Sequence, residues 1–258
     1  MDGRSAAAAI LTQAFADSTK GFATVGALRL VATRVGPYVE SFVEDDAFNL
    51  TRMMMRDPGL QAAFTDNTQA FVALLGGVQG ITQKFVDQYV TSFEASIDIS
   101  SIILAHSVLD AAVFQFCRAS ASAAPSDWES MVRDKKVSLV ELKEASYDDI
   151  LRSKVDAFIE GFERESLPKK IDRLFAICKP PATSSTSYSY SRERVVAIDD
   201  QRHGIVHGRS AYTSLPEVGN DISFIETTNY FLYNMVQSYY QLPIDSAVLM
   251  QAANARVE

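Results

Sequence analysis

Apolar residues recur along the chain at the spacing of an α-helix. Three sets of mainly apolar positions repeat at steps of three and four, which places each set on one helix face. The sets are Ile102, Ala105, Leu109, Ala112 and Phe116; Leu151, Val155, Phe158 and Phe162; and Ile225, Thr228, Leu232, Met235 and Tyr239. No sustained alternation of apolar and polar residues bounded by hairpin turns occurs, so strands are not expected. The pattern predicts an all-α protein.

Proline and glycine mark the expected breaks between helices in the N-terminal third. Pro37 and residues 57–59 interrupt this part of the chain, and the glycines of 76–80 are expected to precede a new helix. We therefore expect two parts, an N-terminal helical extension over residues 1–80 and a larger helical domain over residues 81–258.

Two kinds of local signal divide the larger part. Ser138 is followed three residues later by Glu141, which is a capping-box signature for the start of a helix. Residues 120–126 and 179–191 are rich in small and hydroxyl side chains, and the second segment includes adjacent prolines that cannot continue a helix. Both segments are predicted loops.

Charge and cysteine content narrow the functional classes. The chain has 258 residues and a formal net charge of −8, so a broad basic face for non-specific nucleic-acid binding is not expected. A local basic groove is compatible with this charge, because affinity depends on charge near the phosphates. Cys117 and Cys178 lack CxxC spacing and are interpreted as reduced thiols. The apolar run of the Ala-rich N-terminal stretch is too short to span a membrane, and no convincing signal peptide follows, so we expect a cytoplasmic protein.

Histidine and arginine concentrate in one short segment. Two of the three histidines, His203 and His207, lie within six positions that begin at Arg202. Histidine changes charge near neutral pH and can carry a proton, and arginine offers a planar fork suited to phosphate. Together they supply what a metal-free phosphoryl transfer on RNA needs: one group moves a proton, and the other stabilises charge on the phosphorus oxygens. This segment is the candidate catalytic site.

Helix geometry complicates the arrangement of these residues. At about 100° per residue, Arg202 and His207 lie about 140° apart around a regular helix and do not share a face. Three arrangements would bring them to one site. The Arg202 side chain bends round the helix, Gly204 and Gly208 loosen it, or two copies of the chain each contribute one residue. The sequence leaves all three open.

The segment Asp199–Gly208, DDQRHGIVHG, resembles the signature of the HEPN superfamily, in which an arginine is followed by four to six residues and a histidine. His203 is an accepted polar type after that arginine. The surroundings are also similar: a long helix bearing Asp110, the stretch 137–165, a proline-containing break, the motif and a closing helix. The resemblance covers about residues 81–245 and leaves out the N-terminal third.

The resemblance implies an up-and-down helical bundle, commonly a homodimer, in which two motifs meet in one composite cleft. Many members of the family it resembles are metal-independent endoribonucleases that act as toxins or in antiviral defence. By this resemblance His207 would transfer protons, Arg202 would stabilise the phosphate, and His203 would support them. Asp110 would orient Arg202. The implied partners are RNA, a second copy of the chain and a cognate antitoxin or regulator, and no cofactor is expected.

One position beside the motif departs from the family pattern. Some family toxins carry a tyrosine two positions after the histidine, where a cognate antitoxin modifies it, and this chain has Arg209 there. Regulation by that route is therefore not expected. Arg209 and Arg194 could form a local patch that binds RNA phosphates, or they could be solvated charges that flank a loop.

Two other interpretations compete with a nuclease. His203 and His207 are four residues apart and could clamp a metal on a helix. The segment offers no HExxH glutamate and no nearby cysteine, so no metal site is expected. Alternatively, a non-catalytic HEPN-like module would use Arg202 and His207 only to bind a nucleotide, RNA or a protein partner.

Overall fold

The computed structural model of the chain describes residues 3–54, 56, 58, 68–179, 190–208 and 215–254. Its helices, in chain order, are α1 (Gly3–Met54), α2 (Thr68–Ala123), α3 (Glu129–Val132), α4 (Leu139–Glu144), α5 (Tyr147–Gly161), α6 (Leu167–Ile177), α7 (Arg192–Val206), α8 (Leu215–Tyr240) and α9 (Ser246–Asn254). Short 3-10 turns at Pro125–Trp128 and Phe162–Arg164 precede α3 and follow α5. No strand occurs in these residues, which confirms the predicted all-α class.

The chain divides into two compact units. The first comprises the described residues within Met1–Val25, Ser101–Ala211 and Pro216–Glu258, and the second comprises those within Gly26–Ser100 and Tyr212–Leu215. Helices α1 and α2 therefore contribute residues to both units. The boundaries between the units within α1 and α2 fall after Val25 and after Ser100. The division into domains 1–80 and 81–258 stays a prediction.

The predicted apolar stripes form much of the core of the first unit. All five positions of the α2 stripe, from Ile102 to Phe116, are at most 4% exposed. The stripe of α5 and the following turn is buried except at Phe158, which is half-buried, and on α8 only Tyr239 of the stripe is exposed. Burial of one helix face explains why these sequences are helical, because packing of an apolar face supplies most helical stability in proteins.

Ser138 caps a shorter helix than the sequence suggests. Its hydroxyl accepts a hydrogen bond from the Glu141 N–H at 3.1 Å, and its own N–H donates to the Glu141 carboxylate at 2.6 Å. These two bonds confirm the predicted capping box. The helix nevertheless ends at Glu144, and Ser146 begins α5 as a separate cap whose hydroxyl accepts from the Asp149 N–H.

Two long helices run through residues where the sequence predicts breaks. Pro37 lies inside α1, and the glycines of 76–80 lie inside α2, so both predicted interruptions are wrong. A proline removes one backbone hydrogen bond, and a helical glycine costs about 1 kcal/mol. These penalties are local, and a long helix can continue through them. The breaks predicted at 57–59 and 179–191 lie largely outside the described residues.

Close packing of α1 on α2 depends on a glycine. A Cβ at Gly21 would lie 2.6 Å from Cγ2 of Val108 and 3.0 Å from its Cγ1. Valine is restricted at χ1 and cannot easily turn away from such a contact. The approach brings Asp17 and Ser18, one turn earlier on α1, to the wall of the cavity described below.

Part of α2 is apolar enough to cross a membrane by length and composition alone. The span is Val86–Ala123, with a mean hydropathy of 1.6 in its most apolar window, and 44% of that window is buried inside the structure. The core helix of a soluble protein satisfies the same criteria. The predicted cytoplasmic location stays a prediction.

Candidate functional site

A cavity of about 800 Å³ opens within the first unit. Four parts of the chain line it: α1, α2, the turn before α6 together with α6 itself, and α7. The wall is strongly charged, with Asp17, Asp110, Glu163, Glu165 and Asp199 as carboxylates and Arg164, Lys170 and Arg202 as cations. His106 and His203 add two imidazoles. A lining of this kind favours a polar ligand over an apolar one.

Arg202 contributes a half-buried guanidinium to the cavity wall. Its Nε is buried and has no hydrogen-bond partner among the described residues. Each ion pair found in that part of the chain joins other side chains, so Arg202 has no carboxylate partner there. A guanidinium carries five N–H donors. Arg202 therefore keeps unused hydrogen-bonding capacity for an anionic group.

The two histidines of the motif contact each other at the end of α7. The rings of His203 and His207 have centroids 4.3 Å apart and an edge-to-face arrangement, with 60° between their planes. Both side chains are exposed. The helix ends at Val206, and Gly208 adopts a positive φ of 67°, which closes the helix in the manner typical of a terminal glycine. His207 therefore follows the last regular helical residue.

The contact between the two histidines places His207 beside a residue of the cavity wall. Arg202 and His203 line the cavity, and His207 touches His203, although His207 is not among the described residues that line it. His207 is the C-cap of α7, and its N–H still donates to the His203 carbonyl at 3.1 Å, so the helical register extends to His207. The catalytic roles assigned to Arg202, His203 and His207 stay predictions.

Asp110 forms an ion pair with a buried lysine. The Lys170 ammonium donates to Asp110 Oδ1 at 2.8 Å and to the backbone carbonyl of Glu163 at 3.2 Å. The Lys170 side chain is 1% exposed and that of Asp110 is 33% exposed. Arg202 is not part of this pair, and the predicted role of Asp110 in orienting Arg202 stays a prediction.

A second buried pair joins α2 to α7. The distance from His106 Nε2 to Asp199 Oδ1 is 2.7 Å, and the His106 side chain is 5% exposed. A carboxylate accepts hydrogen bonds, so Nε2 carries the proton in this bond. The other ring nitrogen, Nδ1, is buried without a hydrogen-bond partner among the described residues.

Of the two arginines predicted to bind RNA, the structure describes Arg194. Arg194 pairs with Asp221 at 3.1 Å, and its guanidinium lies 4.6 Å from the centre of the Phe224 ring. Its side chain is 41% exposed, so part of the guanidinium still faces solvent. Arg209 lies outside the described residues. A role in RNA binding stays a prediction for both.

Lys170 is a residue of this region that was not predicted from the sequence. The amphipathic pattern of α6 contains the signal that would have found it. Leu167, Ile171 and Leu174 are buried on one face, and Lys170 lies three residues after the first and four before the last, on the same face. A lysine at a core position needs a partner, because burial of an unpaired charge is costly.

The chemistry available to this region is proton transfer and anion binding. His203 and His207 are accessible imidazoles, and Arg202 offers donors to phosphate oxygens. Across the described residues, no group of three or more histidine, cysteine, aspartate or glutamate side chains is placed to hold a metal ion.

The chain matches no protein-family model, no curated protein and no solved structure with which it was compared.

Proposed function

We propose that the protein is a metal-independent endoribonuclease of HEPN type. One observation carries the proposal: Arg202, without a carboxylate partner among the described residues, lines a cavity together with His203, whose ring contacts His207. A phosphate-binding cation thus shares a cavity with one accessible imidazole, which contacts a second. An RNA strand can reach His203 and His207, because both imidazoles are exposed.

The proposed reaction is an attack of RNA on its own backbone. The imidazole of His207 removes the proton from a 2′-hydroxyl, and the 2′-oxygen forms a bond to the adjacent phosphorus. The bond from phosphorus to the 5′-oxygen of the next nucleotide breaks, and the leaving oxygen takes the proton back from His207. The products are a 2′,3′-cyclic phosphate and a 5′-hydroxyl.

Arg202 and His203 have supporting roles in this scheme. The guanidinium of Arg202 donates to the non-bridging phosphate oxygens, where negative charge develops in the transition state. His203 lies against the His207 ring and limits its orientations. Two copies of an up-and-down HEPN-like bundle would join their motifs in one cleft, and the biological setting would be toxin–antitoxin control or antiviral defence.

One observation favours a second candidate, a module that binds a nucleotide, RNA or a protein partner without turnover. Among the described residues, those that line the cavity include Arg202 and His203 but not His207. Among the described residues, a ligand held by Arg202 inside the cavity would then meet only the imidazoles of His203 and the buried His106.

The test is cleavage of RNA in the presence of a chelator by the wild type, His207→Ala and Arg202→Ala. Loss of a general acid–base residue is expected to lower the rate about 100- to 10,000-fold. Loss of one charge-stabilising donor group is expected to lower it about 100- to 1,000-fold. Arg152→Ala is the matched control, because Arg152 is an exposed arginine of α5 that does not line the cavity.

Each outcome separates the candidates. Cleavage that falls in both motif variants and persists in Arg152→Ala supports the nuclease. Equal activity in all variants, or activity only with added metal, contradicts it. RNA binding without turnover that weakens in Arg202→Ala supports the binding module. Sedimentation of the wild type tests the composite cleft, which a strict monomer would lack.

A further inference from the structure

The two halves of α7 are held in different ways. The first half has two buried apolar side chains, Val195 and Ile198. Arg192 pairs with Asp172 at 2.7 Å, and Arg194 pairs with Asp221 on α8. This half is therefore anchored by apolar burial and by two ion pairs.

The second half of α7, residues 199–206, has much weaker anchorage. None of these residues is buried, although five are half-buried: Asp199, Gln201, Arg202, Gly204 and Ile205. Within the part of the chain that the structure describes, one side-chain hydrogen bond joins this half to another helix, and it is the bond between Asp199 and His106. Among the described residues, this bond is therefore the one side-chain hydrogen bond that ties the segment carrying the motif to another helix.

Helix geometry connects this bond to the motif. Arg202 and His203 are three and four residues after Asp199, so the three side chains share a face of α7. All three line the cavity. A rotation of the second half of α7 about its axis would move Asp199, Arg202 and His203 together.

We propose that His106 is a positioning residue, which acts through Asp199 to hold Arg202 and His203 in their places on the cavity wall. The inference rests on the proposed function, because the motif is taken as the reacting centre. Reacting groups need placement within about 0.5 Å, and a displacement of about 1 Å can cost 100-fold in rate. His106 itself touches no reacting atom in this scheme.

The first test compares His106→Leu with His106→Gln in RNA cleavage. Leucine fills the space without a donor, whereas glutamine keeps an N–H that the Asp199 carboxylate can accept. We expect kcat to fall about 10- to 100-fold in His106→Leu and KM to change by less than about threefold. Recovery of most of kcat in His106→Gln is expected. Ser120→Ala is the control, because it removes a buried hydroxyl from α2 outside the cavity wall.

The second test does not require activity. The chain has three histidines, so the imidazole NMR signals of tag-free protein can be assigned with single variants. We expect His106→Leu to shift the signals of His203 and His207, and Ser120→Ala to leave them in place. This readout separates the two proposals if the wild type proves inactive.

The outcomes are distinct. Shifted signals in His106→Leu, restored in His106→Gln, support positioning whether or not RNA is cleaved. Unchanged signals overturn it. Where the wild type is active, an unchanged kcat in His106→Leu, or an equal loss of kcat in Ser120→Ala, also overturns it. If the wild type cleaves no RNA, this contradicts the proposed nuclease but not the positioning role of His106.

Discussion

The ion pair between Lys170 and Asp110 predicts an asymmetric response to mutation. Lys170 is 1% exposed, whereas Asp110 is 33% exposed. Asp110→Ala leaves an ammonium group in the interior without its carboxylate. Lys170→Met leaves a carboxylate that water can reach, and methionine fills much of the space of the lysine stem. The aspartate should therefore be the more costly partner to remove.

The structure allows the magnitudes to be estimated. Removal of one partner of a buried pair costs about 3–5 kcal/mol when the remaining charge stays buried. Lys170→Met loses charge-assisted hydrogen bonds, which are worth about 1–3 kcal/mol. The double variant, with no buried charge, should be about 2 kcal/mol more stable than Asp110→Ala alone. Asp172→Ala is the matched control, because its pair with Arg192 is exposed and should contribute less than about 1 kcal/mol.

Urea unfolding monitored by tryptophan fluorescence measures these differences. Trp128 is the single tryptophan, is fully buried and donates to the Ser120 hydroxyl at 3.1 Å, so its emission reports loss of the core. We expect Asp110→Ala to be the least stable variant. Lys170→Met should be the most stable, and the double variant should be equal to it or slightly less stable. The reasoning is refuted if Asp110→Ala costs no more than Lys170→Met, or if the losses add in the double variant.

Three further predictions follow from local contacts. Gly21→Ala should destabilise the protein by about 1–3 kcal/mol through the clash with Val108, whereas Gly26→Ala, with nothing near its Cβ, should be neutral or stabilising by up to about 1 kcal/mol in the same urea assay. The hydrogen bond from Lys154 and the capping bonds lower the pKa of Glu141 from 4.5 to about 2. The contribution of the Glu141 carboxylate to the free energy of unfolding is full above pH 4.5 and is lost as the pH falls towards about 2. Glu141→Gln should therefore remove that part of the acid dependence of the urea midpoint. An unchanged dependence would contradict this prediction. Burial raises the pKa of both cysteine thiols, that of Cys178 to about 11, so neither should react with iodoacetamide at pH 8 in the native state and both should react in urea; rapid native labelling would show that the thiols are accessible.

Local patterns account for the parts of the fold that the sequence could predict. The stripe that begins at Ile102 and the capping box at Ser138 depend on residues within a few turns, and both are present. The predicted break at Pro37 was wrong: α1 continues through this residue, although a proline inside a helix costs about 3 kcal/mol and the side chains around it are largely exposed.

Long-range pairing explains what the sequence could not show of the site. His106 and Asp199 are 93 residues apart in the chain, and no spacing rule relates them. Asp110 was matched to Arg202 through family resemblance, but its ion pair is with Lys170, 60 residues away. The concentration of Arg202, His203 and His207 in one segment was visible in the sequence. The other residues that line the cavity beside Arg202 and His203 were not visible in the sequence.

The most direct test of the central proposal is the chemistry of the cleaved ends. RNA is incubated with the wild-type protein in chelator beside the same strand with 2′-deoxy nucleotides, and the products are identified by mass spectrometry. The account predicts 2′,3′-cyclic phosphate and 5′-hydroxyl ends from RNA, and no cleavage of the 2′-deoxy strand, because the 2′-oxygen is the nucleophile. Cleavage of the 2′-deoxy strand, or 5′-phosphate ends on the RNA products, would contradict it.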